Sequence, residues 1–107
     1  MQSEAKKLIS DIVEKIVAEY KPQRIILFGS YAYGTPGEES DLDILIIKDT
    51  DSPPSDRWME VRKILRPLNR FIPISPLVYT TCEIEERRKI RDFFIEDILE
   101  KGKVLYG

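Results

Sequence analysis

RIILFGSYAYG (Arg24–Gly34) followed by SDLDILII (Ser40–Ile47) are the two runs on which the fold turns. Arg24–Phe28 is a short apolar strand that stops at Gly29. Tyr31–Gly34 has room for at most a turn or two of helix. Thr35–Glu39 is a loop by composition. Leu42–Ile47 reads as a second strand whose apolar residues fall on both faces, so it is central and buried.

Working outward, Leu8, Ile9, Ile12, Val13, Ile16 and Val17 recur at helical spacing before the first strand, and the stripe predicts a core-facing helix. Ser3 is its predicted N-cap and Pro22 its far boundary. After the second strand, Asp49–Pro54 is a loop. Ser55 is the expected cap of a helix with Trp58, Val61, Leu65 and Leu68 on one face. Phe71–Tyr79 has strand-like residues but two prolines, which predicts an edge or bulged strand. Thr81 with Glu83 and Glu86 begins a charged helix. Phe93, Phe94, Ile98 and Leu99 give a further amphipathic turn or two, Gly102 stops it, and Val104–Tyr106 is a last short strand. The alternation predicts an α/β (α+β) chain with one sheet and helices packed on it.

The 107 residues fit a single domain over 1–107, with 42% apolar and 34% charged residues and enough core to need no staples. The net charge of -2 argues against a generally basic nucleic-acid binder. The absence of histidine excludes Ser-His triads, Cys-His dyads and histidine metal sites. One cysteine, Cys82, excludes an intrachain disulfide and a zinc cluster. No apolar run approaches a membrane span and the N-terminus has no signal-peptide pattern, so the expected location is the cytoplasm.

Charge is unevenly placed. Residues 38–56 carry Glu38, Glu39, Asp41, Asp43, Asp49, Asp51 and Asp56 against Lys48 alone, a local charge of -6. Most of these acids read as solvated loop residues. Asp41 and Asp43 differ, because they stand at the entry to the most apolar strand and alternate residues of a strand point the same way. Their Cα atoms should lie about 7 Å apart. Two carboxylates on one face of a buried strand repel each other and are costly to desolvate, a penalty that a divalent cation removes. Oxygen ligands from one or two carboxylates plus substrate phosphates suit Mg²⁺. Gly29-Ser30, opening a short helical turn after an apolar strand, could hold phosphate oxygens through backbone N–H groups and the Ser30 hydroxyl. Ser30 lies at the exit of one strand and the acids at the entrance of the next. For one metal-bound triphosphate to touch both, these ends must coincide, which predicts antiparallel strands and a mixed sheet. No P-loop or dinucleotide glycine motif competes, and the calcium-loop spacing fails at Leu45 and Ile46.

Gly29-Ser30-Tyr31-Ala32-Tyr33-Gly34 through Ser40-Asp41-Leu42-Asp43 resembles the signature of the minimal nucleotidyltransferases of the DNA polymerase beta superfamily, and the order of elements resembles theirs along the whole chain. The resemblance implies a nucleotidyltransferase fold, a mixed sheet flanked by helices. It implies an enzyme that transfers a nucleoside monophosphate, AMP foremost, from ATP or another NTP to a hydroxyl. It places Asp41 and Asp43 as catalytic residues and ligands of Mg²⁺, and Gly29, Ser30 and Ser40 as nucleotide-binding residues. It also implies a partner: many small members resemble antitoxins paired with a HEPN-type toxin, and some add AMP to a tyrosine of that partner. Homo- or hetero-oligomers are both open.

One departure bears on catalysis. The family usually carries a third carboxylate on the next strand, and the matching position here is Ser75, with no Asp or Glu between Phe71 and Thr80. Glu83 is a distant substitute. A binding module that neutralises a partner without chemistry is therefore the alternative. A nucleic-acid acceptor is disfavoured, because the acidic segment would repel a polyanion. Arg87-Arg88-Lys89 with Arg91 reads as a solvated helix face balanced by Glu83, Glu85 and Glu86. Tyr31 and Tyr33 flank the phosphate turn, where stacking on a base and packing on the sheet are both open. Trp58 is assigned to the core and Cys82 to a structural role, and Phe93 and Phe94 to the core or a partner surface.

Overall fold

The computed structural model describes residues 3–34, 40–69 and 72–107. The expected loop Thr35–Glu39, the Phe71 start of the third strand and the Ser3 side chain lie outside the described residues. The elements are α1 (Ser3–Tyr20), β1 (Arg24–Phe28), α2 (Ser30–Tyr33), β2 (Leu42–Ile47), α3 (Pro54–Leu65) with a 3₁₀ turn (Arg66–Leu68), β3 (Ile74–Tyr79), α4 (Thr81–Lys89), α5 (Phe93–Lys101) and β4 (Lys103–Tyr106). The four strands form one sheet in the order β3-β2-β1-β4. β1 runs antiparallel to β2 and β4, while β2 and β3 are parallel. The sheet is therefore mixed, with β2 inside it, as its two-faced apolar run requires.

Helices cover both faces. On one, Ile9, Ile12, Ile16 and Tyr20 of α1 and Val61 and Leu65 of α3 close over Ile25 and Leu27 of β1 and Leu42, Ile44 and Ile46 of β2. On the other, Ile84 of α4 and Ile95 and Ile98 of α5 cover Ile26, Phe28, Leu45 and Ile47. The period-two alternation of the strands sends each apolar set to its own layer. α1 ends where Lys21 turns to a positive φ of 55° ahead of Pro22. Among the described residues, no helix is long and apolar enough to cross a membrane.

β3 is an edge strand whose outer side is blunted. The bonds from Leu42 N–H to the Pro73 carbonyl (2.8 Å) and from Lys48 N–H to the Tyr79 carbonyl (2.9 Å) set the parallel ladder. Its alternation turns the backbone of Ile74, Pro76 and Val78 away from β2. The Ile74 N–H donates to the Asn69 side-chain carbonyl (3.0 Å), and Pro76 has no N–H to offer. A proline whose nitrogen faces outward is how an edge strand tolerates one and avoids pairing with another chain.

Three expectations change. Pro53 caps α3 without a side-chain hydrogen bond and Pro54 opens it, so Ser55 is inside the helix rather than its cap. A proline in the first turn supplies the entry, since its missing N–H is not needed there. Trp58 is 47% exposed, lying under the Arg62 guanidinium 4.9 Å from its ring centre, instead of joining Val61 and Leu65 in the core. Cys82 is an exposed free thiol and carries no packing role.

Arg57 takes the buried place that periodicity gave to Trp58. Its Nε donates to the Ser52 carbonyl (2.7 Å) and its guanidinium to Glu83 Oε1 (2.7 Å). The same Glu83 oxygen accepts the Thr80 N–H (2.8 Å), and Thr80 Oγ1 accepts the Glu83 N–H (3.1 Å), completing a capping box at the start of α4. Arg57→Ala should cost about 2 kcal/mol, because it removes charge-assisted bonds and strands a partly buried carboxylate. The Arg57 guanidinium holds the Glu83 carboxyl below its usual range. A depressed acid stabilises the fold fully above its unfolded value, near 4.5, and that contribution fades as pH falls through the lower folded value. Urea titrations between pH 3 and 7 should therefore show an acid-labile component that shrinks in Arg57→Ala; an unchanged profile would mean the pair does not couple to folding.

Candidate functional site

The antiparallel pairing of β1 with β2 places Phe28 opposite Asp43, so the end of one strand and the start of the next coincide. Gly29 follows Phe28 at φ 74°, ψ -163°, a combination that glycine alone adopts readily. It turns the chain directly into α2, whose first residue is Ser30. The Ala32 and Tyr33 N–H groups return to the Gly29 carbonyl (3.0 and 3.2 Å), and those of Ser30 and Tyr31 precede these first internal bonds. A Cβ built on Gly29 would overlap Asp43 Oδ2. The absent side chain is thus what lets the turn and the carboxylate share this space.

Asp43 lies on the same face as Phe28 and Leu45, the face covered by α4 and α5. It is half-buried, whereas Asp41, one residue before β2, is exposed. Burial first, and then the neighbouring charge of Asp41, push the Asp43 carboxyl above its ordinary value. The parallel register puts Ser75 beside Asp43, and the Ser75 hydroxyl donates to Asp41 Oδ2 at 3.1 Å. Ser40, half-buried, directly precedes Asp41. Gly29, Ser30, Asp41, Asp43 and Ser75 therefore meet at one corner of the sheet.

Glu83 does not join them. It follows the far end of β3, beyond Tyr79, which at strand rise lies about 13 Å from Ser75, and its carboxylate is occupied by Arg57 and Thr80. Among the described residues no group of three or more His, Cys, Asp or Glu side chains is arranged to hold a metal. Two carboxylates, one partly desolvated and made more basic by the other, suit a hard divalent cation that completes its shell with phosphate oxygens and water.

Several aromatic residues lie on the elements next to the site. Phe94 packs edge-on against Phe28, with ring centres 5.8 Å apart, yet remains 54% exposed. Tyr33 is exposed and its hydroxyl donates to Asp97 Oδ2 (3.4 Å), whereas Tyr31 packs partly against the α1 layer. Phe93 is exposed under the Arg91 guanidinium. The basic run is balanced differently from expectation: Arg87 meets Asp92 (3.5 Å) and Arg91 meets Glu96 (3.5 Å). The missed feature is the Ser75–Asp41 bond. Register alone could have found it, since pairing β2 with β3 in parallel brings residue 75 next to the acids.

Comparison with known proteins agrees with this geometry. A family model for a nucleotidyltransferase domain matches residues 9–105. "Putative protein adenylyltransferase MJ0604" of Methanocaldococcus jannaschii is 39% identical over 105 residues, covering 94% of this chain and 96% of that protein. MJ1379, of the same name and organism, is 42% identical over 102 residues, covering 95% of this chain and 94% of its own. MJ0141, likewise, is 36% identical over 105 residues, covering 92% and 89%. Two solved structures share the fold at 24% identity. One is a "putative nucleotidyltransferase from Sulfolobus solfataricus", with a TM-score of 0.55 over 75% of this chain and 70% of that one. The other is described as a toxin-antitoxin with AMP-PNP, with a TM-score of 0.59 over 91% of this chain and 72% of that one. With the family model spanning nearly the whole chain and relatives matched almost end to end, this chain belongs to the nucleotidyltransferase family.

Proposed function

We propose that this chain is a metal-dependent adenylyltransferase that moves AMP from ATP to a hydroxyl of a partner protein, as the antitoxin of a toxin-antitoxin pair with a HEPN-type toxin, and that residues 1–107 act as a single domain. The observation that carries this reading is the carboxylate pair of Asp41 and Asp43 set against the Gly29-Ser30 turn. The names of the relatives support AMP transfer to protein, and the toxin-antitoxin neighbour supports the pairing. Those names favour a protein acceptor over a nucleic acid; the acidic stretch does not gather at the site, since Asp49 lies past the opposite end of β2 from Asp43, where it accepts the Thr81 N–H (2.8 Å). The proposed place of the reaction is the cytoplasm.

Each residue has a defined task. Gly29 lets a phosphate approach the backbone, and the Ser30 hydroxyl with the Ser30 and Tyr31 N–H groups would donate to its oxygens. Ser40, directly before Asp41, would add a contact to the nucleotide. Asp41 and Asp43 would hold Mg²⁺, which when bound neutralises triphosphate charge and favours in-line displacement of pyrophosphate. The acceptor oxygen bonds to the α-phosphorus and gives up its proton to solvent as the bond to pyrophosphate breaks. The test is incubation with α-labelled ATP, Mg²⁺ and the product of the neighbouring gene; label should appear on that protein if it is the HEPN-type partner.

Ser75 favours a second reading, in which the chain binds nucleotide and neutralises its partner by docking alone. Binding to the partner without label transfer would favour it.

A further inference from the structure

Asp41 stands outside β2, exposed, on a residue that the strand ladder does not fix. An exposed aspartate would ordinarily sample several rotamers. Here its carboxylate is tied down by the Ser75 hydroxyl at 3.1 Å, across from a neighbouring strand. Ser75 itself is held by the β2–β3 register beside Asp43. One hydroxyl on an edge strand thus adjoins one acid and anchors the other.

We propose that Ser75 is the positioning residue of the acid pair, fixing the Asp41 carboxylate on the Asp43 side of the sheet so that the two close on one divalent cation. This rests on the cation-binding reading of the site. A hydrogen bond to a carboxylate is charge-assisted and directional, so it narrows the orientations open to Asp41 before the ion arrives. The order gained in advance lowers the cost of gathering two like charges around the ion. The β2–β3 ladder supplies the rigidity, since Asp43 and Ser75 are paired residues within it. Residues that orient ligands from behind commonly carry about tenfold or more in metal affinity.

The test is Mn²⁺ binding to the full chain, followed by paramagnetic broadening of the backbone amides of residues 41–44, in wild type, Ser75→Ala, Ser75→Thr and Asp41→Asn. Ser75→Ala should bind Mn²⁺ about tenfold more weakly, with an unchanged melting temperature. Ser75→Thr, which keeps the hydroxyl, should recover most of the affinity. Saturating metal should restore transfer in Ser75→Ala. If Ser75→Ala binds like wild type while Asp41→Asn does not, the positioning role is overturned and the cation site stands. If Ser75→Thr fails to rescue, the loss comes from strand packing and the role is again overturned. If Asp41→Asn also binds normally, the cation reading fails and takes the positioning role with it.

Discussion

Replacing Asp41 and Asp43 together by asparagine should lower nucleotidyl transfer by about a thousandfold or more while leaving the fold at least as stable as it was. The two effects have one cause. Burial and the charge of Asp41 raise the Asp43 carboxyl above its ordinary value, so the native state holds this ionised group less comfortably than the unfolded chain does. For an acid raised in this way, stability is lost as pH rises from the ordinary value through the raised one, and the loss is complete above it. At neutral pH the ionised pair therefore works against folding. Solvent still reaches both side chains, so the penalty is modest, about half a kcal/mol, or about 2–4 °C in a chain of this size. Asparagine keeps the shape and removes the charge. Melting curves at pH 7 should move up by that amount, and the difference from wild type should shrink as pH falls through the raised Asp43 value, where that carboxyl is protonated. Label transfer within tenfold of wild type would remove the acid pair from the mechanism, and the same variants neutralising a toxin as well as wild type would make docking the function.

The reasons some of this was legible in the sequence are physical. A run such as Leu42–Ile47, apolar on both faces, has nowhere to sit but inside a sheet covered on two sides, and β2 is there. The antiparallel start of a mixed sheet followed from requiring Ser30 and the two acids to reach one ligand, and the register Phe28 opposite Asp43 delivers it. What did not follow were choices made by tertiary contacts. Helical periodicity placed Trp58 inward, but the buried position on α3 goes to Arg57, because Ser52 and Glu83 together satisfy its guanidinium. Cys82, in the first turn of α4, has no layer above it. Ser75 looked like a gap in a pattern of acids. Its bond to Asp41 depends on which strand neighbours β2 and in which direction, and local sequence does not carry that.

Gly29→Ala should be the most damaging single substitution at the site, and Gly34→Ala shows why. Both glycines have similar positive φ values, 74° and 76°. At Gly34 the ψ of 22° is ordinary left-handed backbone and a new Cβ meets nothing within 4 Å among the described residues. Alanine there should cost about 1 kcal/mol and leave transfer nearly intact. At Gly29 the ψ of -163° belongs to a region that side chains avoid, and the new Cβ would overlap Asp43 Oδ2. The backbone term and the collision together should cost about 2 kcal/mol, lowering the melting temperature by about 10 °C. Relief is available only by moving the turn or rotating the Asp43 carboxylate, and either separates the phosphate cradle from the acid pair. A displacement of about an ångström in such a constellation costs about a hundredfold in rate. Transfer measured well below the melting temperature, where all three proteins are folded, should therefore fall about a hundredfold in Gly29→Ala and little in Gly34→Ala. Equal, small losses in both would show that backbone conformation alone matters at position 29 and that the turn and the carboxylate do not share a ligand.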